Sequence, residues 1–408
     1  SYDTPIFLRE LKMKKKILIV GGGTAGTMTA NNLAKKLMPE IDRDEIEITM
    51  VSNSKYHYYR PGAMYVAFHK SEGHEFVREQ RNLLMSEIDF IVDEVVDINS
   101  QNNFVKGKSG KNYNYDYLVL ATGCEAAPER IPGLKEGGDW FYTYEGAKKL
   151  AKKFQNLKSG KVLITVNFPK TPDIPHQCGI APVETTIMLH DYLTEKGVRD
   201  NVEITYSYPT EAQSVKNGLF LQEPTSNVLP SIFDGIGVKH KTGFTLNKVD
   251  PEKKVAYSEE GEEMEFDILM STPPFIATKV IRESGLSKAL DNEGWLPTDK
   301  KTLKVIGLEN VYTLGDTVDL PVSKAGGTIH NQTDVVADNI ASELRHGYPT
   351  ESYDGLVIAI AQMGLSCGMP LWYDYEEDVK PTPCSKLGSF VRKGFNKGIY
   401  WAAARGMV

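Results

Sequence analysis

The stretch from Lys16 to Gly26 constrains this chain more than any other. KILIV (16–20) reads as a buried strand, and Gly21-Gly22-Gly23-Thr24-Ala25-Gly26 follows it at once. TMTANNLAKKL then has helical spacing, and IEITMVS (46–52) reads as a second strand. Together they make a βαβ unit of the roughly 30-residue size of a dinucleotide site. Gly21 permits the tight turn, Gly23 lets backbone approach a pyrophosphate, and Gly26 lets helix and strand pack closely. Thr24 and Ala25 begin a helix whose free N–H groups and positive dipole end face the phosphates. The fold class is therefore α/β.

Two further segments agree with this. Tyr115-Asp116-Tyr117-Leu118-Val119-Leu120 is a buried strand ending in Ala121-Thr122-Gly123, and Asn310-Val311-Tyr312-Thr313-Leu314 is a strand ending in Gly315-Asp316. This order of motifs resembles the two-dinucleotide-binding-domain flavoproteins. The resemblance implies FAD as cofactor and assigns to Asp316 a hydrogen bond to the ribityl chain. An acidic residue usually ends the second strand and binds the adenosine ribose. Here that place falls at Ser52-Asn53, so Asn53 would make a neutral, weaker contact. After Gly315-Asp316 come Ser323-Lys324-Ala325-Gly326-Gly327 and a helix-like stretch to about Arg345. The helix start at Gly327 and the charge of Lys324 would both stabilise negative charge on a reduced ring.

With 408 residues the chain exceeds one ordinary core. It divides into an FAD-binding unit at 13–125 and 270–345, a second Rossmann-like unit at 126–269 without an NAD site, and a C-terminal segment at 346–408. Met13-Lys14-Lys15-Lys16 reads as a natural start and residues 1–12 as an extension. Asp3 and Glu10 argue against a signal peptide. A net charge of −7 disfavours nucleic acid as a partner. No apolar run reaches the about 18 residues that a membrane span needs. The 4 cysteines, Cys124, Cys178, Cys367 and Cys384, form no CxxC and no structural disulfide framework. The 8 histidines show no metal-ligand spacing, so no metal is expected.

Flavoproteins that take electrons from NAD(P)H carry a second glycine-rich motif near mid-chain. The corresponding strand, Lys161–Val166, is followed instead by Asn167 and a proline-rich segment ending at Pro175. Prolines remove the donors a pyrophosphate needs. Next come Pro175-His176-Gln177-Cys178-Gly179-Ile180-Ala181-Pro182-Val183-Glu184 and a helical pattern. Cys178 thus precedes a helix N-terminus, where the dipole favours thiolate. Glu184 falls in the first turn, placed to move protons. Cys367 lies in Gly364-Leu365-Ser366-Cys367-Gly368, where the glycines signal close backbone approach, ahead of Trp372, Tyr373 and Tyr375.

These segments, with the Tyr58-Tyr59-Arg60-Pro61 loop, resemble the sulfide:quinone oxidoreductase family from Met13 onward. Flavocytochrome c sulfide dehydrogenase is the near relative. The resemblance implies that Cys178 and Cys367 flank the flavin as a redox pair and that Arg60 belongs to the cofactor loop. It further implies that sulfide is oxidised to zero-valent sulfur or polysulfide and that electrons reach a quinone through FAD. Many members carry a third cysteine where this chain has Phe141-Tyr142-Thr143-Tyr144. Cys124 is the candidate substitute, and Cys384, between prolines, is expected to be incidental.

From Lys380 to Val408 there are six Lys and Arg and no Asp or Glu. Val391, Phe395, Ile399 and Ala402 would share one helical face, with Tyr400-Trp401 as an interface pair. This suits a peripheral, monotopic helix resting on anionic lipid. Trp372, Phe390 and Phe395 are the candidates for a quinone pocket. Two other readings stay open: the flavin subunit of a cytochrome-coupled sulfide dehydrogenase, and a flavin-binding interaction protein without turnover. Quinone type, membrane side and assembly into a homo-oligomer stay open too.

Overall fold

The computed structural model describes residues 13–167, 176–209, 228–286, 293–377, 379 and 382–407. β1 (Lys15–Val20), buried over its last four residues, is the middle strand of a five-stranded parallel sheet. β2 (Ile46–Ser52) pairs with it from Lys15↔Ile46 to Val20↔Val51, and β3 (Ile88–Val92) lies outside β2. On the other flank come β4 (Tyr117–Leu120) and then Val311–Thr313. Continuous Val, Ile and Leu runs suit strands covered on both faces. Strand order reverses beside β1, which opens a crevice at the C-terminal ends of β1 and β4. α1 (Thr24–Lys36) leaves that crevice and packs on α3 (Gly326–His346).

A second parallel sheet has the order β7-β6-β5-β8, from β5 (Gly160–Val166), β6 (Val202–Ser207), β7 (Val238–Lys241) and β8 (Ile268–Thr272). The expected division at residues 269 and 270 falls within β8. α2 (Ile180–Glu195) covers this sheet and is buried over all of its first ten residues. Short strand pairs tie the halves together: Cys124–Ala126 with Phe275–Ala277, and His176–Gln177 with Ser323–Lys324. Residues 1–12 and the proline-rich stretch 168–175 lie outside the described residues.

The C-terminal part adds a hairpin, β9 (Val357–Gln362) and β10 (Gly368–Tyr373), then α4 (Lys386–Gly394), a π-helical turn at Phe395–Ile399, and α5 (Tyr400–Ala404). α5 packs on α1, so the end of the chain sits beside its glycine loop. Among the described residues no helix is long and apolar enough to cross a membrane.

Candidate active site

The glycine loop folds as its spacing predicts. Gly21 has φ +116°, and a Cβ there would stand 2.2 Å from the Ala121 carbonyl oxygen. A Cβ on Gly26 would stand 1.9 Å from the Gly21 carbonyl oxygen, so Gly26 serves packing rather than ligand contact. A Cβ on Gly23 would meet nothing within 4 Å, because Gly23 faces open space. α1 has no side-chain cap and no acidic residue in its first turn, and α3 has neither as well. Both N-termini therefore present unsatisfied N–H groups.

A cavity of about 740 Å³ runs from this loop to the second half of the molecule. At one end it is lined by Gly21, Gly23, Thr24, Ala25, Asn53 and Arg60. Along its length lie Ala121, Thr122, Gly123, Asp316, Lys324 and Gly327. Gly315 stays outside it; its φ of +74° turns the chain, and its N–H donates to Gln332 Oε1 at 2.8 Å. Lys324 donates to the carbonyls of Asp316 (2.7 Å) and Val318 (2.8 Å), with its ammonium 3.7 Å from the Trp295 ring centre. Burial lowers its pKa while Asp316 opposes this. A long cleft with bare N–H groups at one end, a carboxylate midway and open space over Gly23 and Gly123 fits an FAD.

The other end of the cavity carries Cys178, Glu184, Arg392, Phe395 and Tyr373. Cys178 sits two residues before α2, where the Ala181 and Ile180 N–H groups favour its thiolate. The helix end does not win here. Burial first, then the nearby Glu184 carboxylate, push the Cys178 thiol up to about 11, against the expected thiolate. Glu184 lies in the second turn rather than the first and is 3% exposed. It accepts the Gln362 N–H at 2.6 Å and lies 3.9 Å from the Arg392 guanidinium. Burial raises its pKa, with Arg392 and the Gln362 bond opposing.

Cys124 lines the cavity as a buried thiol, its sulfur 3.3 Å from Asp316 Oδ2. Burial and then Asp316 push it up to about 12, which favours the thiol over the thiolate. Cys367 is bonded to Cys384, with Cα atoms 5.7 Å apart, while Cys178 is free. Cys384 is therefore not incidental. Gly368 and Ser385 exchange backbone hydrogen bonds at 2.9 and 3.0 Å, which brings the preceding cysteines together. Trp372 and Phe390 do not line the cavity; Phe390 is 74% exposed on α4, and of the three aromatics only Phe395 reaches it.

Two features escaped the sequence reading. Tyr400 and Trp401 are buried, not laid on an interface. Tyr400 Oη lies 2.8 Å from Thr24 Oγ1 and 2.5 Å from His57 Nε2, and His57 Nδ1 lies 3.0 Å from the Gly22 carbonyl. That carbonyl can only accept, so Nδ1 carries the proton and Nε2 accepts from Tyr400. The second is the orientation of α4. Arg392 and, beyond it, Asn396 turn inward, Asn396 accepting from Tyr59 Oη (2.7 Å) and donating to Tyr65 Oη (3.1 Å). Leu387, Phe390 and Val391 turn outward. A basic residue amid apolar positions was the one available signal for Arg392.

Residues 15–165 match the pyridine nucleotide-disulphide oxidoreductase family. The chain is 28% identical to the mitochondrial sulfide:quinone oxidoreductase of Dictyostelium discoideum, over 96% of this chain and 86% of that one. It is 26% identical to its counterpart in Mus musculus, over 83% and 74% respectively. It also shares the fold of the sulfide:quinone oxidoreductase of Aquifex aeolicus, with a TM-score of 0.79 at 22% identity, covering 96% of this chain and 92% of that one.

Proposed function

We propose that this chain, similar over nearly its whole length to sulfide:quinone oxidoreductases, is an FAD-dependent enzyme that oxidises sulfide to zero-valent sulfur and reduces a quinone. One observation carries the reading most: a free thiol, a buried carboxyl and a partly buried guanidinium close the far end of the dinucleotide cavity. Cys178 and Cys367 form the working pair. HS⁻ attacks their bridge, one sulfur becomes a persulfide, and the other leaves as a thiolate. Glu184 exchanges the proton, and Arg392 balances its charge. Bound FAD supplies two-electron acceptance from sulfur and delivery to quinone. Asp316, Lys324 and the glycine loop hold it.

The protein works as a peripheral membrane protein. The apolar face of α4, Leu387, Phe390 and Val391, flanked by Lys386 and Lys393, meets the lipid surface from which the quinone comes. Phe395 lies between that face and the cavity.

Anaerobic addition of sulfide should bleach the flavin absorbance, whereas NADH should leave it intact. Equal bleaching by NADH, or none by sulfide, would sink the proposal. Cys178→Ser should retain flavin and lose bleaching by sulfide.

A further inference from the structure

Cys367 is bonded to Cys384, and it packs against the same hydrophobic cluster as Cys178. Its turn, Met363 to Cys367, is clamped from two sides. On one side α2 holds it: Leu365 N–H donates to Asp191 Oδ2 at 2.6 Å, and a Cβ on Gly364 would stand 2.4 Å from that same oxygen. On the other side Lys393 of α4 donates to the Leu365 carbonyl at 2.7 Å. Gln362 joins both, with its N–H on Glu184, and its amide nitrogen on the Cys367 carbonyl (3.3 Å) and on Ser389 Oγ (2.9 Å). The free cysteine, Cys178, stands at the N-terminus of α2. The bonded one, Cys384, stands directly before Ser385, the N-cap of α4. Neither helix has an acidic residue in its first turn. The N-terminus of α4 favours Cys384 as a leaving thiolate, whereas Cys178, held as a thiol by burial, needs a base to take its proton.

We propose that Cys384 is a third redox-active sulfur of this site, which holds Cys367 as a disulfide at rest and yields it to Cys178 by thiol–disulfide exchange. The step balances without an oxidant. The Cys178 thiol gives its proton to Glu184, and its sulfur attacks Sγ of Cys367. The Cys178–Cys367 bond forms, the Cys367–Cys384 bond breaks, and Cys384 leaves as a thiolate that takes up one proton. No electrons enter or leave. The exchange rests on the reading of Cys178 and Cys367 as the working pair, which it supplies with its bridge.

The test is a peptide map of the oxidised holoprotein, kept free of sulfide, quenched in acid, alkylated and digested without reductant. Wild type should yield two linked peptides, Cys367–Cys384 and Cys178–Cys367. Cys384→Ser should yield the Cys178–Cys367 link alone, and Cys178→Ser the Cys367–Cys384 link alone. If Cys384 is recovered from wild type only as the alkylated thiol while Cys178–Cys367 forms, the role of Cys384 is overturned and the working pair stands. If Cys178–Cys367 fails to form even in Cys384→Ser, the working pair itself is wrong, and the exchange falls with it.

Discussion

Glu184 shows how much one position can conceal. Its place after a cysteine and a proline was visible in the chain, but an acidic residue near a helix start is ordinary helix chemistry. Burial changes its meaning. A carboxyl raised by desolvation stays protonated above the usual carboxylate range, and it accepts a proton only once the pH exceeds that raised value. The rate of sulfide-driven flavin reduction should therefore show an acid limb that lies above the ordinary carboxylate range. Glu184→Gln should abolish the limb and slow reduction about a hundredfold, the lower end of what general acid–base groups contribute. Stopped-flow rates against pH decide this; an unchanged limb in the variant would assign the titration elsewhere. The cysteines divide in the same way. Cys178 was legible from its glycine and prolines. Cys384 was not, because its pairing depends on Gly368 meeting Ser385 across a long chain separation, and no local pattern encodes that.

At the scale of elements, the glycine loop, the flanking strands and the helices α1, α2 and α3 were legible because each is a local period with its own punctuation. The C-terminal helix was legible as a helix but not in its orientation. The π-helical turn at Phe395–Ile399 adds a residue to one turn and rotates everything after it. A single helical face drawn from Val391 to Ala402 therefore breaks in the middle. Tyr400 and Trp401 swing into the core, and the outward apolar face contracts to Leu387, Phe390 and Val391, with Ile399 exposed at the end of the turn. If this face meets lipid, Leu387→Asp with Phe390→Asp should reduce co-sedimentation with anionic vesicles at least tenfold. Removing two side chains from an apolar phase costs about 1.5–3 kcal/mol each. Undiminished binding would move the contact to another surface.

Across the whole molecule, two parallel sheets could be counted from the strands, but the contact that closes the structure joins positions hundreds of residues apart. Tyr400, His57, Thr24 and Gly22 form one hydrogen-bonded chain, buried at His57 and Tyr400, and Asn31 donates to the Ala404 carbonyl at 2.7 Å. Lys35 also reaches the Gly406 carbonyl. Burial depresses the His57 pKa from 6.5 to about 4. The folded protein keeps this imidazole neutral, whereas the unfolded chain protonates it below about 6.5. Stability from this group is thus complete above pH 6.5 and declines as pH falls toward 4, by about 3 kcal/mol in all. Urea unfolding over that range should show the slope, and His57→Gln should flatten it; an identical slope would place the titration on other groups.

That closure also orders events in time. The glycine loop, at residues 21–26, leaves the ribosome well before Tyr400, the tyrosine that braces it. Until Tyr400 has been made and folded back, the loop has no brace, so stable capture of the cofactor follows that contact. A message cut short before Tyr400 would give a polypeptide with the glycine loop in place and an unbraced nucleotide site.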